Sequence, residues 1–556
     1  MDVRTLLALF LLCASVSAQS PLVKILTAEL DRNFTILKQK ADPPPYFIGY
    51  AVEDQESDSI VASRGAIDAE NHATGRLLDA TVRVGTPEFD NYHLTGGGLP
   101  RLSTAVVMPL DDAPAPIRQL LWLSTDSVYR AASDRLLRIK ADEKLRTAAL
   151  DKSADFSSEE PQVSFSQAPM YKFDASEWAR RLRKLSAEFE NFSGALNSSV
   201  SVEAERIQKT LINTEGARLE HGRLFAQLTI VARGKAADGM DLATMASFEA
   251  ADPSKLPGDK QILDAVKHTG ATLAGLLNAP LADPYVGPAI LSGRAASVFF
   301  HEIFGHRVEG FRQKDENEGQ TFTKSVGKPV LPDFISVIFD PTRADYRGIA
   351  LNGTYSYDDD GVKARPVTVV DHGILKDFLM SRMPIEGFPH SNGHGRRQAG
   401  LEVESRQSNL FVESTKQVSD AELRKMLIDE IKRQNKPYGL YFDQVVSGYT
   451  TTARRGLQAF TVVPLVVYRV YPDGRPDEMI RGVDIVGTPL ASFAKIMATS
   501  DRMEVFNGIC GAESGNVPVS AVAPAILVSE IEVQRKERSR DRPPYLGPPP
   551  PEETAR

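Results

Sequence analysis

The chain has 556 residues, of which 42% are hydrophobic and 25% are charged, and its formal net charge is −8. This composition is typical of a globular protein, and the length predicts two domains. The negative net charge disfavours a nucleic-acid partner. The basic residues are also dispersed along the sequence, except near the carboxy terminus.

The first 18 residues have the pattern of a signal peptide. Arg4 precedes an apolar run over residues 6–12, and Ser17 and Ala18 supply small side chains before Gln19. The apolar run is too short to span a bilayer, and no membrane span is expected in the chain. We therefore expect cleavage after Ala18 and a secreted or periplasmic protein.

The amino-terminal half alternates helix and strand patterns. Helices are predicted at residues 21–40, 133–150, 175–192 and 259–277, and strands at residues 46–52, 80–84, 199–203 and 224–231. We interpret residues 19–285 as an α+β domain, which ends at a stretch rich in proline and glycine near residues 278–288.

Strand patterns dominate the second half. Residues 334–339, 367–370 and 460–471 predict strands, and residues 420–434 predict a helix with Ser419 and Glu422 as its capping box. The predicted fold class is therefore α+β, with a mixed amino-terminal domain followed by a β-rich metal-binding domain over residues 286–534. Residues 535–556 are charged and proline-rich, which predicts a disordered tail.

The segment His301-Glu302-Ile303-Phe304-Gly305-His306 predicts a catalytic metal site. Two neutral imidazoles can hold a zinc-like ion, and the adjacent carboxylate can accept a proton from activated water. A spacing of five residues separates side chains by about 140° around a regular helix, so both rings cannot face one ion there. We expect either a π-bulge or a helix end at Gly305.

Removal of the signal peptide would discard Cys13 and leave Cys510 as the only cysteine. In an oxidising compartment an exposed lone thiol is at risk, so the residue requires protection. Cys510 is predicted to lie in a glycine-flanked loop, where a thiolate can approach a metal ion. A buried inert cysteine is the alternative interpretation.

The chain resembles the TldD/PmbA family of metallopeptidases, and specifically the branch that keeps the metal motif. The resemblance covers most of the mature chain and is strongest from about residue 293 to residue 533. It rests on six segments in the family's order: His301-Glu302-Ile303-Phe304-Gly305-His306 with Glu309-Gly310, Gly353-Thr354-Tyr355-Ser356-Tyr357-Asp358-Asp359-Asp360-Gly361-Val362, Asp371-His372-Gly373-Ile374-Leu375-Lys376, Ser391-Asn392-Gly393-His394-Gly395-Arg396, Arg481-Gly482-Val483 with Val486-Gly487-Thr488-Pro489-Leu490, and Cys510-Gly511 with Val517-Pro518-Val519.

The resemblance implies that His301, His306 and Cys510 are the metal ligands and that Glu302 is the catalytic base. The expected cofactor is one Zn²⁺ per site, with another divalent metal such as Fe²⁺ as an alternative. Two histidines and a cysteine with an open fourth position are also a recognised catalytic zinc set.

The expected function is that of an exported zinc-type metallopeptidase acting on unfolded or extended polypeptides. The alternative is a peptide-binding or assembly protein whose metal is structural or whose site is inactive. The best-known members of the family are cytosolic and pair a metal-bearing subunit with one that lacks the motif, whereas this chain carries an export signal and its own metal motif. We therefore expect either a homodimer or a heterodimer with a family paralogue.

Two further motifs are weaker. Asp358, Asp359 and Asp360 lack the alternating ligands of a calcium loop and predict a tight turn. His394 lies in a polar loop with His390, and it is either a group that stabilises an oxyanion or, more commonly for such a residue, an exposed histidine.

Overall fold

The structure is a computed structural model that describes residues 19–95, 100–102, 105–143, 151–455, 460–487 and 492–536, together with Pro544 and Leu546. The predicted signal peptide at residues 1–18 lies outside the described residues, as does most of the tail predicted at residues 535–556. Among the described helices, none is both long and apolar enough to cross a membrane.

Seven α-helices occur in the described residues. They are α1 (Pro21–Lys40), α2 (Pro114–Glu143), α3 (Ala175–Ala187), α4 (Asp259–Asn278), α5 (Gly293–Ile303), α6 (Phe311–Lys314) and α7 (Asp420–Arg433). Short 3₁₀ helices follow at Glu188–Asn191, Pro253–Lys255 and Gly305–Val308. The predicted cap of α7 is present, since the Ser419 hydroxyl accepts a hydrogen bond from the Glu422 backbone N–H at 3.2 Å.

The first sheet is built from two long antiparallel hairpins. Its described strands are β1 (Pro45–Ser63), β2 (Ala66–Thr86), β3 (Phe89–Asp90), β4 (Val106–Val107), β5 (Val163–Phe165), β6 (Asn197–Asn213), β7 (Arg218–Lys235) and β8 (Asp241–Ala250). They run in the order β3-β2-β1-β6-β7-β5, with β4 beside β2 and β8 beside β7. Helices α1 to α4 pack against this sheet.

The remaining strands belong to the second half of the chain. They are β9 (Tyr285–Leu291), β10 (Ile335–Phe339), β11 (Asp345–Tyr346), β12 (Ile349–Ala350), β13 (Val367–Asp371), β14 (Ile374–Leu375), β15 (Gly395–Arg396), β16 (Glu404–Ser405), β17 (Asn409–Ser414), β18 (Gln417–Val418), β19 (Gly439–Thr450), β20 (Phe460–Val470), β21 (Glu478–Ile480), β22 (Val483–Gly487), β23 (Ile496–Ala512) and β24 (Gly515–Arg535). Twelve of them form one sheet in the described residues, while β11 pairs with β12 and β15 with β16.

The long strand β24 lies inside the second sheet. It pairs with β17, β22, β23 and β9 along its length. Helix α5 packs on β24, β19 and β23, and its apolar side chains, including Phe299 and Phe300, enter the largest hydrophobic core. These contacts fix α5 against a sheet, which is a rigid support for a functional site.

The α+β class is confirmed, with a mixed first half and a β-rich second half. Several predicted bounds differ from the structure. Strand β1 continues eleven residues beyond the predicted end at Val52, because its outer arm is polar and half-buried and so lacks a hydrophobic alternation. Helix α2 begins at Pro114 rather than residue 133, and residues 144–150 lie outside the described part.

Candidate metal centre

The two motif histidines lie on different backbone elements. Helix α5 begins after Ser292, whose hydroxyl accepts a hydrogen bond from Ala295 N–H at 3.2 Å, and it ends at Ile303. His301 is in its last turn, whereas His306 is in the 3₁₀ turn Gly305–Val308. The helix therefore ends between the histidines, which confirms the predicted break and selects it over a π-bulge.

Gly305 is required at this break by a close approach. A Cβ at position 305 would lie 1.9 Å from Oε1 of Gln407, which is fully buried. The same Gln407 donates from Nε2 to the His301 carbonyl at 3.3 Å. A side chain at position 305 would therefore displace the group that supports the backbone of His301.

Arg307 satisfies the carbonyl groups that the helix end leaves free. Its Nη1 donates to the carbonyls of Glu302 at 3.2 Å and Ile303 at 3.0 Å. Its Nη2 donates to the carbonyl of Thr451 at 3.4 Å, just beyond β19. The terminal carbonyls of a helix need such partners when they are buried. Because Glu302 and Ile303 lie between the two histidines, these hydrogen bonds hold that segment in place.

The third predicted ligand reaches the same point from a strand. Potential ligand atoms of His301, His306 and Cys510 all lie within 4.8 Å of one another. Cys510 is in β23, opposite Val517 of β24, and the predicted loop around it is wrong because its glycines sit in the paired hairpin. The three residues are 4–7% exposed.

Two residues outside the predicted set surround these side chains. Glu309 lies 3.2 Å from Nδ1 of His306, so Nε2 of that ring points toward Cys510 Sγ, 3.4 Å away. Arg406 donates from Nη2 to the Cys510 carbonyl at 2.8 Å and to its sulfur at 3.3 Å. Its Nε lies 3.4 Å from Glu309. This carboxylate orients one ligand ring, as second partners of metal-binding histidines do.

The charges of this group reinforce one another. Burial alone raises the pKa of Cys510, but His306 and His301 lower it well below its usual value. Burial alone lowers the pKa of His306, but Cys510 and Glu309 raise it to about 10. Burial raises the pKa of Glu309, yet His306 and Arg312 lower it to about 2. These mutual effects favour the charged forms of the three groups, namely a thiolate, an imidazolium and a carboxylate.

The donor set fits a zinc-type ion. Two imidazole nitrogens and a sulfur held as thiolate are ligands that zinc prefers, and three protein ligands leave a position for water or substrate. Glu302 lies outside this group of three, with its Oε2 3.9 Å from His306 Nε2. Burial raises the pKa of Glu302 against the lowering effect of the two histidines.

Gly448 of β19 lies directly against the side chain of Glu302. A Cβ at position 448 would lie 2.5 Å from Glu302 Cγ and 3.1 Å from its Cδ, so only glycine permits this approach. Glu302 is 8% exposed and lines the same cleft as the three potential ligands. The carboxylate is thus buried but still reachable from the cleft.

The cleft has a volume of about 360 Å³ and opens between the two sheets. One wall comes from residues 446–452 and another from residues 506–513 of β23 and its turn. The first sheet contributes Gln227, Met245 and Ser247. This open space beside Glu302 is large enough for a stretch of polypeptide.

The two loop histidines do not join this site. His390 has a largely exposed side chain, whereas His394 is fully buried, with Nε2 3.1 Å from the Ser408 hydroxyl. Burial lowers the pKa of His394 to about 3. Neither residue lines the cleft, and His394 is a structural histidine rather than the exposed one expected from its sequence context.

The spacing of Glu309, three residues after His306, is a signal that sequence reasoning did not use. In a helix or 3₁₀ turn such a carboxylate lies beside the ring. Arg406, Gln407 and Gly448 give no comparable signal, because only the folded sheets bring them to the motif.

Residues 285–535 match the family described as PmbA/TldA metallopeptidase C-terminal domain. A metalloprotease TldD homolog from Haemophilus influenzae is 26% identical over 263 residues, which is 46% of this chain and 50% of the relative. A zinc metalloprotease TldD homolog from Saccharolobus solfataricus is 27% identical over 249 residues, 44% of this chain and 51% of the relative. The chain thus spans about half the length of these curated relatives.

Two solved structures share the fold over almost the whole chain. A putative modulator of a DNA gyrase from Thermotoga maritima gives a TM-score of 0.61 at 14% identity and covers 91% of this chain and 100% of its own. TldE from Thermococcus kodakarensis gives a TM-score of 0.60 at 12% identity and covers 92% of this chain and 100% of its own. The family match and the TldD homologues place residues 285–535 of the chain in the TldD/PmbA family.

Proposed function

We propose that the chain is an exported zinc-type metallopeptidase that hydrolyses peptide bonds in unfolded or extended polypeptides. The observation that carries the proposal is the position of Glu302, a buried carboxylate with a raised pKa, beside three zinc-type donors in an open cleft. The names of the metalloprotease relatives support the same reaction class.

A bound zinc ion supplies a Lewis acid that polarises a carbonyl and acidifies water. His301, His306 and Cys510 would hold it. Glu302 takes the proton from the attacking water and delivers it to the leaving nitrogen. Its burial favours this exchange, because a raised pKa brings the carboxylate closer to the working pH of a general base. Gly448 and Arg307 keep the side chain and the backbone of Glu302 in position.

An extended substrate would bind by addition to a strand. Residues 503–512 of β23 pair with β24, and within the described residues no other strand pairs with this stretch. Its outer edge borders the cleft through residues 506–512. Main-chain hydrogen bonds at such an edge bind a peptide without strong sequence preference, whereas a folded protein has no free strand to offer.

The alternative is a peptide-binding or assembly protein whose metal is structural or whose site is inactive. A structural zinc site is normally closed by four protein ligands and has no use for an adjacent base. The open cleft beside Glu302 therefore favours the peptidase.

The test is metal analysis combined with peptidase assays on unfolded polypeptides. Wild-type protein should bind one metal ion per chain and hydrolyse the substrate. Cys510→Ala should lose most of the metal, since two ligands bind far more weakly than three. Glu302→Gln should retain the metal, and its rate of hydrolysis should fall by about 10²-fold or more, which is the typical contribution of a general base.

The control is Glu422→Gln, which makes the same change at an exposed position on α7. It should leave both metal content and activity unchanged. Stoichiometric metal without hydrolysis that depends on Glu302 would overturn the peptidase and leave the binding protein. Metal retained in full by Cys510→Ala would remove the third ligand.

We further propose that the chain works as a homodimer or as a heterodimer with a family paralogue. One similar structure bears the name TldE, a different family member, which supports a paired arrangement. Light scattering on the purified chain distinguishes the two arrangements. The mass of a dimer supports the homodimer, whereas the mass of a monomer supports the heterodimer, whose second subunit is then absent from the sample. Amino-terminal sequencing of protein from the extracytoplasmic fraction tests export, with Gln19 as the expected first residue.

A further inference from the structure

A second cleft adjoins the candidate metal centre. It also has a volume of about 360 Å³ and lies between strands β1, β6 and β7 of the first sheet and residues 354–359 and 396–399 of the second half. The two clefts share Ile509, whose side chain is 60% exposed, and Ile509 immediately precedes Cys510. A polypeptide bound at β23 can therefore continue over Ile509 into the second cleft.

Arg396 lines this second cleft and is only 7% exposed. Its Nη1 donates to the carbonyls of Gln407 at 2.6 Å and Pro518 at 2.7 Å. Its guanidinium carbon lies 4.8 Å from the centre of the Tyr355 ring. These contacts hold the guanidinium in one orientation. Pro518 pairs with Ile509 across the hairpin, which ties Arg396 to the strand that carries Cys510.

The other two nitrogens of Arg396, Nε and Nη2, have no hydrogen-bond partner among the described residues. Nor does a described carboxylate lie within 4.0 Å of its guanidinium, the distance that defines an ion pair. Burial lowers the pKa of Arg396, and Tyr355 and Asp359 offset this only in part. A buried cation without a counter-charge is costly, and a guanidinium matches the two oxygens of a carboxylate.

The other basic side chains of the second cleft already have acidic partners. Lys209 lies 2.6 Å from Asp359. Arg223 lies 2.7 Å from Glu205.

Arg397 and Asp358 of the cleft also have their own partners. Arg397 lies 3.3 Å from Asp79. Asp358 accepts backbone hydrogen bonds from Val362 and Gly395, and burial raises its pKa well above the usual range, which disfavours its charged form. Glu53, another carboxylate of the cleft, lies 3.5 Å from Lys209. Asp359 acts on Arg396 from beyond ion-pair distance, so no described carboxylate of the cleft forms a direct ion pair with it.

We infer that Arg396 binds a carboxylate of the polypeptide substrate, held in the second cleft across Ile509 from the metal centre. The carboxylate belongs either to the carboxy terminus of the peptide or to an acidic side chain. This inference rests on the proposed function, since it specifies a substrate of that same site. The substrate contributes the directly bonded carboxylate that Arg396 lacks among the described residues.

The experiment measures peptide binding by calorimetry in the Glu302→Gln protein loaded with zinc, which prevents turnover. In the first arm, one peptide is compared with a free carboxy terminus and with an amidated one. In the second arm, the amidated peptide is compared with variants in which one of its glutamine residues at a time is replaced by glutamate. The free acid, or one of the glutamate peptides, should bind at least about 10-fold more tightly than the neutral peptide. Which arm shows the gain identifies the source of the carboxylate.

Adding Arg396→Gln should abolish this preference. Arg396→Lys keeps the charge but not the two-pronged geometry, so it should reduce the preference several-fold, and it serves as the test if the glutamine variant does not fold. Arg475→Gln removes the same charge from an exposed site whose partner is Asp473, and it should leave the preference intact.

Equal binding of acidic and neutral peptides by the Glu302→Gln protein overturns the inference, as does a preference that survives Arg396→Gln. The two proposals fail separately. If wild-type protein does not hydrolyse peptides but the preference depends on Arg396, the peptidase is wrong and the carboxylate site stands. If hydrolysis depends on Glu302 but carboxylates have no effect, the carboxylate site is wrong.

Discussion

Gly448 is separated from the metal-binding motif by more than a hundred residues, yet it packs directly on Glu302. We predict that Gly448→Ala impairs catalysis while leaving metal binding and folding intact. The new methyl group would lie 2.5 Å from Glu302 Cγ, 3.1 Å from Cδ and 3.2 Å from Oε1. Carbon atoms in contact normally lie about 3.5–4.0 Å apart, so the side chain must move by about 1 Å or more.

A displacement of about 1 Å in a catalytic group typically costs about 10²-fold in rate, which equals about 2.7 kcal/mol of activation free energy. Folding should not suffer, because Gly448 is half-buried at the wall of the cleft and Glu302 can move into the cleft. Alanine is also more favourable than glycine within a strand, by about 0.5–1 kcal/mol.

The assay is the kcat of hydrolysis of an unfolded polypeptide, with zinc content and urea unfolding measured on the same samples. Gly75→Ala is the matched control, since Gly75 is also a strand glycine and nothing lies within 4 Å of its added Cβ. Gly75→Ala should behave as wild type. A Gly448→Ala protein with full zinc content and a kcat within about twofold of wild type would refute the assignment of Glu302 as a positioned base.

Two further predictions concern the surroundings of the ligands. In metal-free protein, Glu309→Gln should lower the free energy of unfolding at pH 7 by on the order of 3 kcal/mol, because the folded-state pKa of about 2 lies below the unfolded value of about 4.3. The folded state holds fewer protons, so this contribution is complete above about pH 4.3 and is lost as the pH falls toward 2. Urea unfolding from pH 7 down to pH 3 should show the difference shrinking, and a pH-independent difference contradicts the depressed pKa. Gly305→Ala should lower the free energy of unfolding by about 1–3 kcal/mol, because the new Cβ overlaps the buried Gln407. Urea unfolding beside Gly75→Ala measures this cost, and equal stability of the two variants would contradict the close approach.

Much of the fold was predictable where local chemistry decides it. The bounds of α1 match the predicted helix over residues 21–40, since Ser20 caps one end and a proline-rich stretch follows the other. The long arm of β1 was not predictable, because residues beyond Val52 form a polar hairpin whose strand partners supply the order. Pairing between distant strands leaves little trace in a local sequence pattern.

The same division holds at the metal centre. The histidine spacing predicted a break at Gly305, since the geometry of a helix forbids both rings from facing one ion. The glycines around Cys510 predicted a loop, but cross-strand pairing with β24 makes the segment a strand. Arg406 was not identified because its role depends on a contact with Cys510 across 104 positions of sequence.

The placement of Cys510 in the last hairpin also sets an order of events during synthesis. His306 leaves the ribosome 204 residues before Cys510, and His301 leaves still earlier. Strand β24, which pairs with Cys510, follows later. Because β24 pairs with four other strands, the second sheet cannot be completed before β24 has been synthesised. The three candidate ligands can therefore meet only after the strand that carries Cys510 has been made, long after the segment that carries His301 and His306.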